Sequence, residues 1–130
     1  MNAEPEKRRL TLKKRDKLVL KKQFDDVRQR GEKQISPGLV LAVAPFEQLE
    51  CGVICSRKFS HLAVERNRAR RLLWESFRLL KPEILPCRMV LIPRQRIKGY
   101  SRQQVTLELA KALCRAGVMN PDELQSLPEC

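Results

Sequence analysis

Leu20, Phe24 and Val27 recur at the spacing of one helical face, which predicts a short first helix over about 20–30. Gly31 follows Arg30 where a left-handed, helix-ending residue is wanted. From Lys33 to Pro45 the segment KQISPGLVLAVAP couples a Pro-Gly turn signal to an apolar run, and CGVICS at Cys51–Ser56 is a second run after the polar FEQLE. These two runs are expected to be paired strands. His61 to Leu80 contains neither Gly nor Pro until Lys81-Pro82 stops it, and it is the strongest helix signal in the chain. At about 100° per residue, Leu62, Ala69, Leu72, Leu73, Phe77 and Leu80 share one broad arc. Arg66, Asn67, Arg70, Arg71, Trp74 and Arg78 gather on the neighbouring arc, so one face is expected in the core and the other in solvent. CRMVLIP lacks a helical period and reads as a buried strand, ended by Pro93 and the basic loop RQRIKG. Ser101 and Gln104 then form a capping-box pattern, and Val105, Leu109, Ala112, Leu113 and Ala116 trace the buried stripe of a last helix that Gly117 ends.

The 130 residues suit one core rather than two. Charge changes the picture more than length does: 27 Lys and Arg against 15 Asp and Glu give +12, which points to a polyanionic partner. Three segments are expected: a basic arm over 1–19, an α/β domain over 20–117 and an acidic, mobile tail over 118–130. Five scattered cysteines without a CxxC spacing suggest neither a disulfide framework nor a zinc site, and small buried thiols explain Cys51 and Cys55, four residues apart. No signal-peptide core or membrane-length apolar run is visible, so a reducing cytoplasm is the expected location.

Protein-borne catalysis has little support. His61 is the single histidine, with no nucleophile or orienting carboxylate identifiable around it, and a surface or capping role suits it better than general-base work. There is no Gly-rich phosphate loop, no HExxH and no cluster of carboxylates. Ser56-Arg57-Lys58 followed by Arg66-Asn67-Arg68-Ala69-Arg70-Arg71 differs from an ordinary solvated helix face, which interleaves acids with bases. Arg dominates, and its planar fork suits bidentate phosphate contacts and stacking on bases. A nucleic acid is the expected partner.

The segment RKFSHLAVERNRARRLLWESFR, Arg57 to Arg78, resembles the signature region of the bacterial ribonuclease P protein family. That pattern has a Ser, two basic residues, an Ala, the RNR sequence and a basic pair. Here they are Ser56, Arg57, Lys58, Ala63, Arg66-Asn67-Arg68 and Arg70-Arg71. Leu12 with Lys13, Phe24, Val27 and Gly31 look like the family's N-terminal positions, and VLIPR at Val90–Arg94 and the Ser101-capped helix are similar too. The resemblance covers roughly residues 9–116.

It implies an α/β (α+β) two-layer sandwich in which a four-stranded mixed sheet carries three helices, as in some ribosomal proteins, with a left-handed βαβ crossover through the RNR helix. That hand comes from the resemblance alone, since the general rule favours right-handed connections. The implied activity is endonucleolytic removal of the 5′ leader from precursor transfer RNA by a ribonucleoprotein. The RNA subunit holds the catalytic magnesium ions, and the protein contributes no catalytic residue and holds no metal or cofactor by itself. Arg66, Asn67, Arg68, Arg70, Arg71 and Trp74 are expected to meet the RNA subunit, and Phe24, Arg28, Arg57 and Lys58 to serve the leader. One protein is expected per RNA, as a monomer.

Three positions depart from the family pattern: Trp74 stands where another Arg is usual, Arg28 where a second aromatic is common, and Ala42 where a strand aromatic is frequent. Trp74 fits a stacking platform and a core-edge residue equally well, and Phe24 by its spacing alone reads as core. The rival class is a structural RNA-binding protein of ribosomal type with no part in cleavage. A duplex-DNA binder is disfavoured because no recognition-helix turn motif is visible.

Overall fold

The computed structural model describes residues 21–120, so the expected basic arm and the last ten residues of the acidic tail lie outside the described residues. The order is α1 (Lys21–Arg30), β1 (Glu32–Ile35), β2 (Leu39–Pro45), β3 (Glu50–Val53), α2 (Ala63–Leu80), β4 (Cys87–Pro93) and α3 (Arg102–Arg115). Short 3-10 turns at Lys81–Glu83 and Gln95–Gly99 flank β4. The four strands form one mixed sheet in the order β1-β2-β4-β3, antiparallel except for the β3–β4 pair. This is the expected α+β sandwich of four strands and three helices.

The pairing differs from the expected one: β2 and β3 are not neighbours, because β4 lies between them. A strand apolar on both sides takes the centre of a sheet, and β4 is such a strand, with only Arg88 and Ile92 short of full burial. The segment Lys33–Pro45 divides instead into its own hairpin, β1 and β2, around Ser36-Pro37-Gly38. Gly38 must be glycine there, since a Cβ would collide with Tyr100 and Glu108, and Glu108 accepts the Gly38 N–H at 2.6 Å and the Tyr100 hydroxyl at 2.8 Å.

Alternation along the strands gives each face its own cluster. Leu39, Leu41 and Val43 of β2 and Cys87, Met89 and Leu91 of β4 meet α2 and α3 in the main core. Ala42, Ala44 and Val90 face the opposite way and meet Val27 of α1. Of the apolar arc expected on α2, Ala69, Leu72, Leu73, Phe77 and Leu80 are buried. Leu62 is not: it precedes the helix in extended conformation and is 61% exposed. The α2–α3 contact also holds a polar pair that hydrophobic periodicity does not reveal. Thr106 donates its hydroxyl to the Arg102 carbonyl at 2.9 Å, which leaves Ser76 to donate to Thr106 Oγ1, also at 2.9 Å.

Helix ends follow local chemistry. Ser101 and Gln104 complete the capping box at the start of α3. At its end Gly117 adopts a φ of 81°, with its N–H on the Cys114 carbonyl and that of Val118 on the Leu113 carbonyl, a Schellman closure. Gly31 is different from its expected role. Its φ is not positive, and glycine is required because a Cβ would collide with the Val27 carbonyl that its own N–H binds. Val118 and Met119, at the start of the expected tail, belong to the domain: Met119 is buried and bridges Ile84.

Ion pairs fasten α1 to its sheet face. Arg88 donates to Asp26 of α1 at 3.0 Å and to Glu50 of β3 at 2.8 Å, and its guanidinium lies 3.9 Å from the centre of the Phe46 ring. Arg30 grips the same Asp26 and also donates to the Pro45 carbonyl. The Arg30 hydrogen bond, against partial burial and with further help from Arg88, holds the Asp26 carboxyl down from 3.8 to about 2.

Candidate nucleic-acid interface

The loop entering α2 is built before the helix begins. Ser56 accepts the Lys58 N–H, Phe59 turns into the core, and Ser60 both accepts the Leu62 N–H at 3.0 Å and donates to Glu65 at 2.6 Å. Leu62 supplies no side-chain cap, so Ser60 and Glu65 order this end. The Ser60 hydroxyl, against partial burial and with help from Lys98, holds the Glu65 carboxyl below its usual range. Arg57 and Lys58 sit exposed at the loop's tip, and His61 is exposed beside them.

The arginines of α2 divide into two kinds. Asn67 and Arg71 are exposed. Arg66, Arg68 and Arg70 are half-buried and hold backbone carbonyls, so Arg66 and Arg70 depart from the expected solvent-facing arc. Arg66 donates to Ser60 at 2.9 Å and Arg70 to Cys55 at 3.0 Å, both on the entering loop. Arg68 points elsewhere: about 160° around the helix from Arg66 and Arg70, it donates to Tyr100 at 2.6 Å and more weakly to Ile97 and Lys98. The physical reason is the flanking loops, whose unpaired carbonyls an Arg can satisfy while part of its guanidinium still faces outward. Trp74 lies at the core edge, its ring 6.1 Å from Phe77 in an edge-to-face contact.

A groove opens on the other face of the sheet. Phe24, Val27 and Arg28 of α1 form one wall, Ala42, Val90 and Ile92 the floor, and Lys33 and Ile54 complete the lining. Phe24 is half-buried, Arg28 is exposed, and Ile54 and Ile92 remain partly open. The structure thus brings Phe24 and Arg28 together as expected, and adds Lys33, Ile54 and Ile92, which were not singled out. Of the three only Ile92 is an outward position of a strand whose inward positions fill the core; no residue of β1, which bears Lys33, is buried, and Ile54 follows the end of β3, so the strand period does not mark the set. Arg57 and Lys58 do not line the groove but follow Ile54 within four residues.

No nucleophile emerges from the buried thiols. Burial raises Cys51 well above its usual range, and Cys87 is pushed up to about 12 by the same cause, so both stay protonated near neutrality. Among the described residues no three His, Cys, Asp or Glu side chains stand together where a metal could bind. The carboxylates of Asp26, Glu50, Glu65 and Glu108 are instead engaged by the arginines, hydroxyls and amide named above.

Fold and surface define a small, basic α/β sandwich protein, with one sheet face sealed by two helices and the other left as an open groove beside a cationic helix. The model of the Ribonuclease P family matches residues 12–117, and the chain belongs to that family, among its bacterial protein components. It is 32% identical to the ribonuclease P protein component of an Exiguobacterium species over 109 residues, 82% of this chain and 95% of the relative. Against that of Chloroflexus aurantiacus it is 48% identical over 64 residues, 48% of this chain and only 47% of the relative, so this match spans about half of that protein. The fold is that of the Staphylococcus aureus RNase P protein, with a TM-score of 0.72 at 24% identity, covering 81% of this chain and 98% of that one. The Thermotoga maritima RNase P protein gives 0.69 at 25% identity, covering 78% and 97%.

Proposed function

We propose that this chain is the protein subunit of ribonuclease P. It binds the catalytic RNA subunit through α2 and the loop before it, and takes the 5′ leader of precursor transfer RNA in the groove beside α1. The observation that carries the reading is the groove itself, an apolar floor with an aromatic wall and two cations, Arg28 and Lys33, at its lining. Such a channel suits a single strand, because base faces stack on aromatics for about 1–3 kcal/mol each while cations track the phosphates.

Phe24 offers the ring on which an unstacked leader base rests, and Arg28 holds a phosphate or stacks in place of the aromatic common there in the family. Arg57 and Lys58 continue the cationic path from the groove to α2. Asn67, whose Oδ1 accepts from Arg70 at 3.3 Å, presents its amide N–H groups, and Arg71 its guanidinium, to the RNA subunit. Arg66, Arg68 and Arg70 shape that face by fixing its loops and offer their remaining N–H groups to phosphates. Trp74 supports the helix from the core edge.

No side chain attacks the scissile phosphodiester in this reading. Magnesium ions on the RNA subunit supply the chemistry, and the protein raises the affinity and alignment of the substrate. One protein acts with one RNA in the cytoplasm. A structural RNA-binding protein would use the cationic helix equally well but has no need of a leader groove.

The test mixes the full chain with its organism's ribonuclease P RNA and a precursor transfer RNA at a magnesium concentration too low for the RNA alone. Cleavage at the 5′ end of the mature sequence, dependent on the protein, is the expected result. Binding to the RNA without any stimulation of cleavage overturns the reading in favour of a structural role.

A further inference from the structure

The turn between β4 and α3 forms a cationic surface of its own. From Ile84 to Leu107 the chain has no Asp or Glu, while Arg94, Arg96, Lys98 and Arg102 fall within nine consecutive residues. All four are exposed. The turn beneath them is held rigidly. Ile97 is fully buried, Gln95 donates to the Phe59 carbonyl at 2.7 Å, and Arg68 of α2 binds the Tyr100 carbonyl at 2.6 Å. Lys98 lies 5.1 Å from the centre of the Phe59 ring and 3.5 Å from Glu65, the acid that faces this turn from α2. On the side of β2, Arg94 donates to the Ser36 carbonyl at 2.9 Å. These bonds attach the turn both to the loop that bears Arg57 and Lys58 and to the first turns of α2.

We infer that the 94–102 turn is a further binding surface for the phosphodiester backbone of a structured RNA, with Arg96 and Arg102 as its principal contacts. The inference rests on the RNA-binding reading above and extends it to residues outside the groove and the RNR helix. Cations packed this closely repel one another unless an anion spans them. Here the backbone that carries them is fixed in advance, so little ordering cost attends binding. Among the described residues neither Arg96 nor Arg102 makes a hydrogen bond of the kind made by Arg68 or Arg94, so both forks are turned to phosphate. Two structured RNAs could supply that phosphate in the holoenzyme, the RNA subunit and the body of the transfer RNA.

Arg96→Gln with Arg102→Gln tests the surface, and Lys111→Gln, an exposed cation on α3, serves as a charge-loss control. Affinity is measured from 50 to 200 mM salt in two arms, full chain with ribonuclease P RNA, and reconstituted holoenzyme with mature, leaderless transfer RNA. Counterion release predicts that losing two phosphate contacts lowers the log–log salt slope by about 1.4–1.8 and the affinity roughly 15- to 30-fold at 150 mM salt. The arm that shows this loss identifies the RNA. Unchanged slope and affinity in both arms, or a loss no larger than for the control, overturns the inference. Arg71→Gln in the first arm separates this failure from a wider one: if it weakens binding while the double variant does not, only the 94–102 surface is wrong. If wild-type protein itself fails to bind the RNA, the underlying reading is wrong.

Discussion

The two faces of the sheet are made by the same strands and serve opposite ends. One carries Leu39, Leu41, Met89 and Leu91, all fully buried beneath two helices of 18 and 14 residues. The other carries Ala42, Ala44 and Val90, buried under the ten-residue α1, with Ile54 and Ile92 left partly open beside them. Large side chains need a thick cover to remove them from water, whereas small ones let a helix approach closely and leave a channel along its edge. The lesson is a division by the period of two: inward positions hold the fold, and outward positions are free to be spent on a ligand.

The sharpest way to break this comparison is to damage the sealed face. Leu73→Ala removes a fully buried side chain and is expected to cost about 2–5 kcal/mol in urea unfolding. RNA affinity of the folded fraction should be unchanged, and a normal midpoint would mean that this face does not carry stability. A smaller effect is expected for the arginines that clasp loops. Arg66→Ala with Arg70→Ala should cost about 1–3 kcal/mol, because the Ser60 and Cys55 carbonyls lose charged donors. Arg71→Ala, at an exposed position, should stay within about 0.5 kcal/mol. Equal unfolding midpoints for the two variants would erase the distinction between clasping and free arginines.

A subtler effect concerns the ion pairs that seat α1. Because the folded Asp26 carboxyl is depressed to about 2 from 3.8, its contribution is complete above the higher value and is lost as pH falls through the lower one. Urea midpoints measured from pH 7 down to 2 should therefore decline between about pH 4 and 2, and Asp26→Asn should start lower and decline less across that window. Parallel curves for the two proteins would show that Asp26 does not fasten α1.

Much of this was legible before any coordinates. Uninterrupted apolar periodicity located α2 and α3, and the Ser101–Gln104 box and Gly117 located the ends of α3, because these signals are local. The placement of β4 between β2 and β3 was not legible, since strand order is decided by burial on both faces across long sequence separations. Gly31 was legible as an essential glycine but not for the right cause, which is a carbonyl one turn back and not a left-handed φ. At the site, Phe24 and Arg28 could be named from the family pattern, yet Lys33, Ile54 and Ile92 could not, because nothing in the sequence says how far α1 extends over the sheet. The arginines of α2 were visible as a charge pattern. Which of them bind loop carbonyls depends on the loops' conformation, which charge spacing does not encode.

The claim that the open face takes the leader is tested most directly at Arg28, whose side chain is 71% exposed and whose ion-pair partner among the described residues is Asp25, at 3.8 Å. Arg28→Ala opens no core cavity, so its urea midpoint should match that of the wild type. Reconstituted with ribonuclease P RNA, the variant should bind precursor transfer RNA with a leader of several nucleotides about fivefold more weakly, equivalent to about 1 kcal/mol, and the leaderless transfer RNA as well as before. Equal losses for the two RNAs, or no loss for either, would contradict the placement of the leader in this groove.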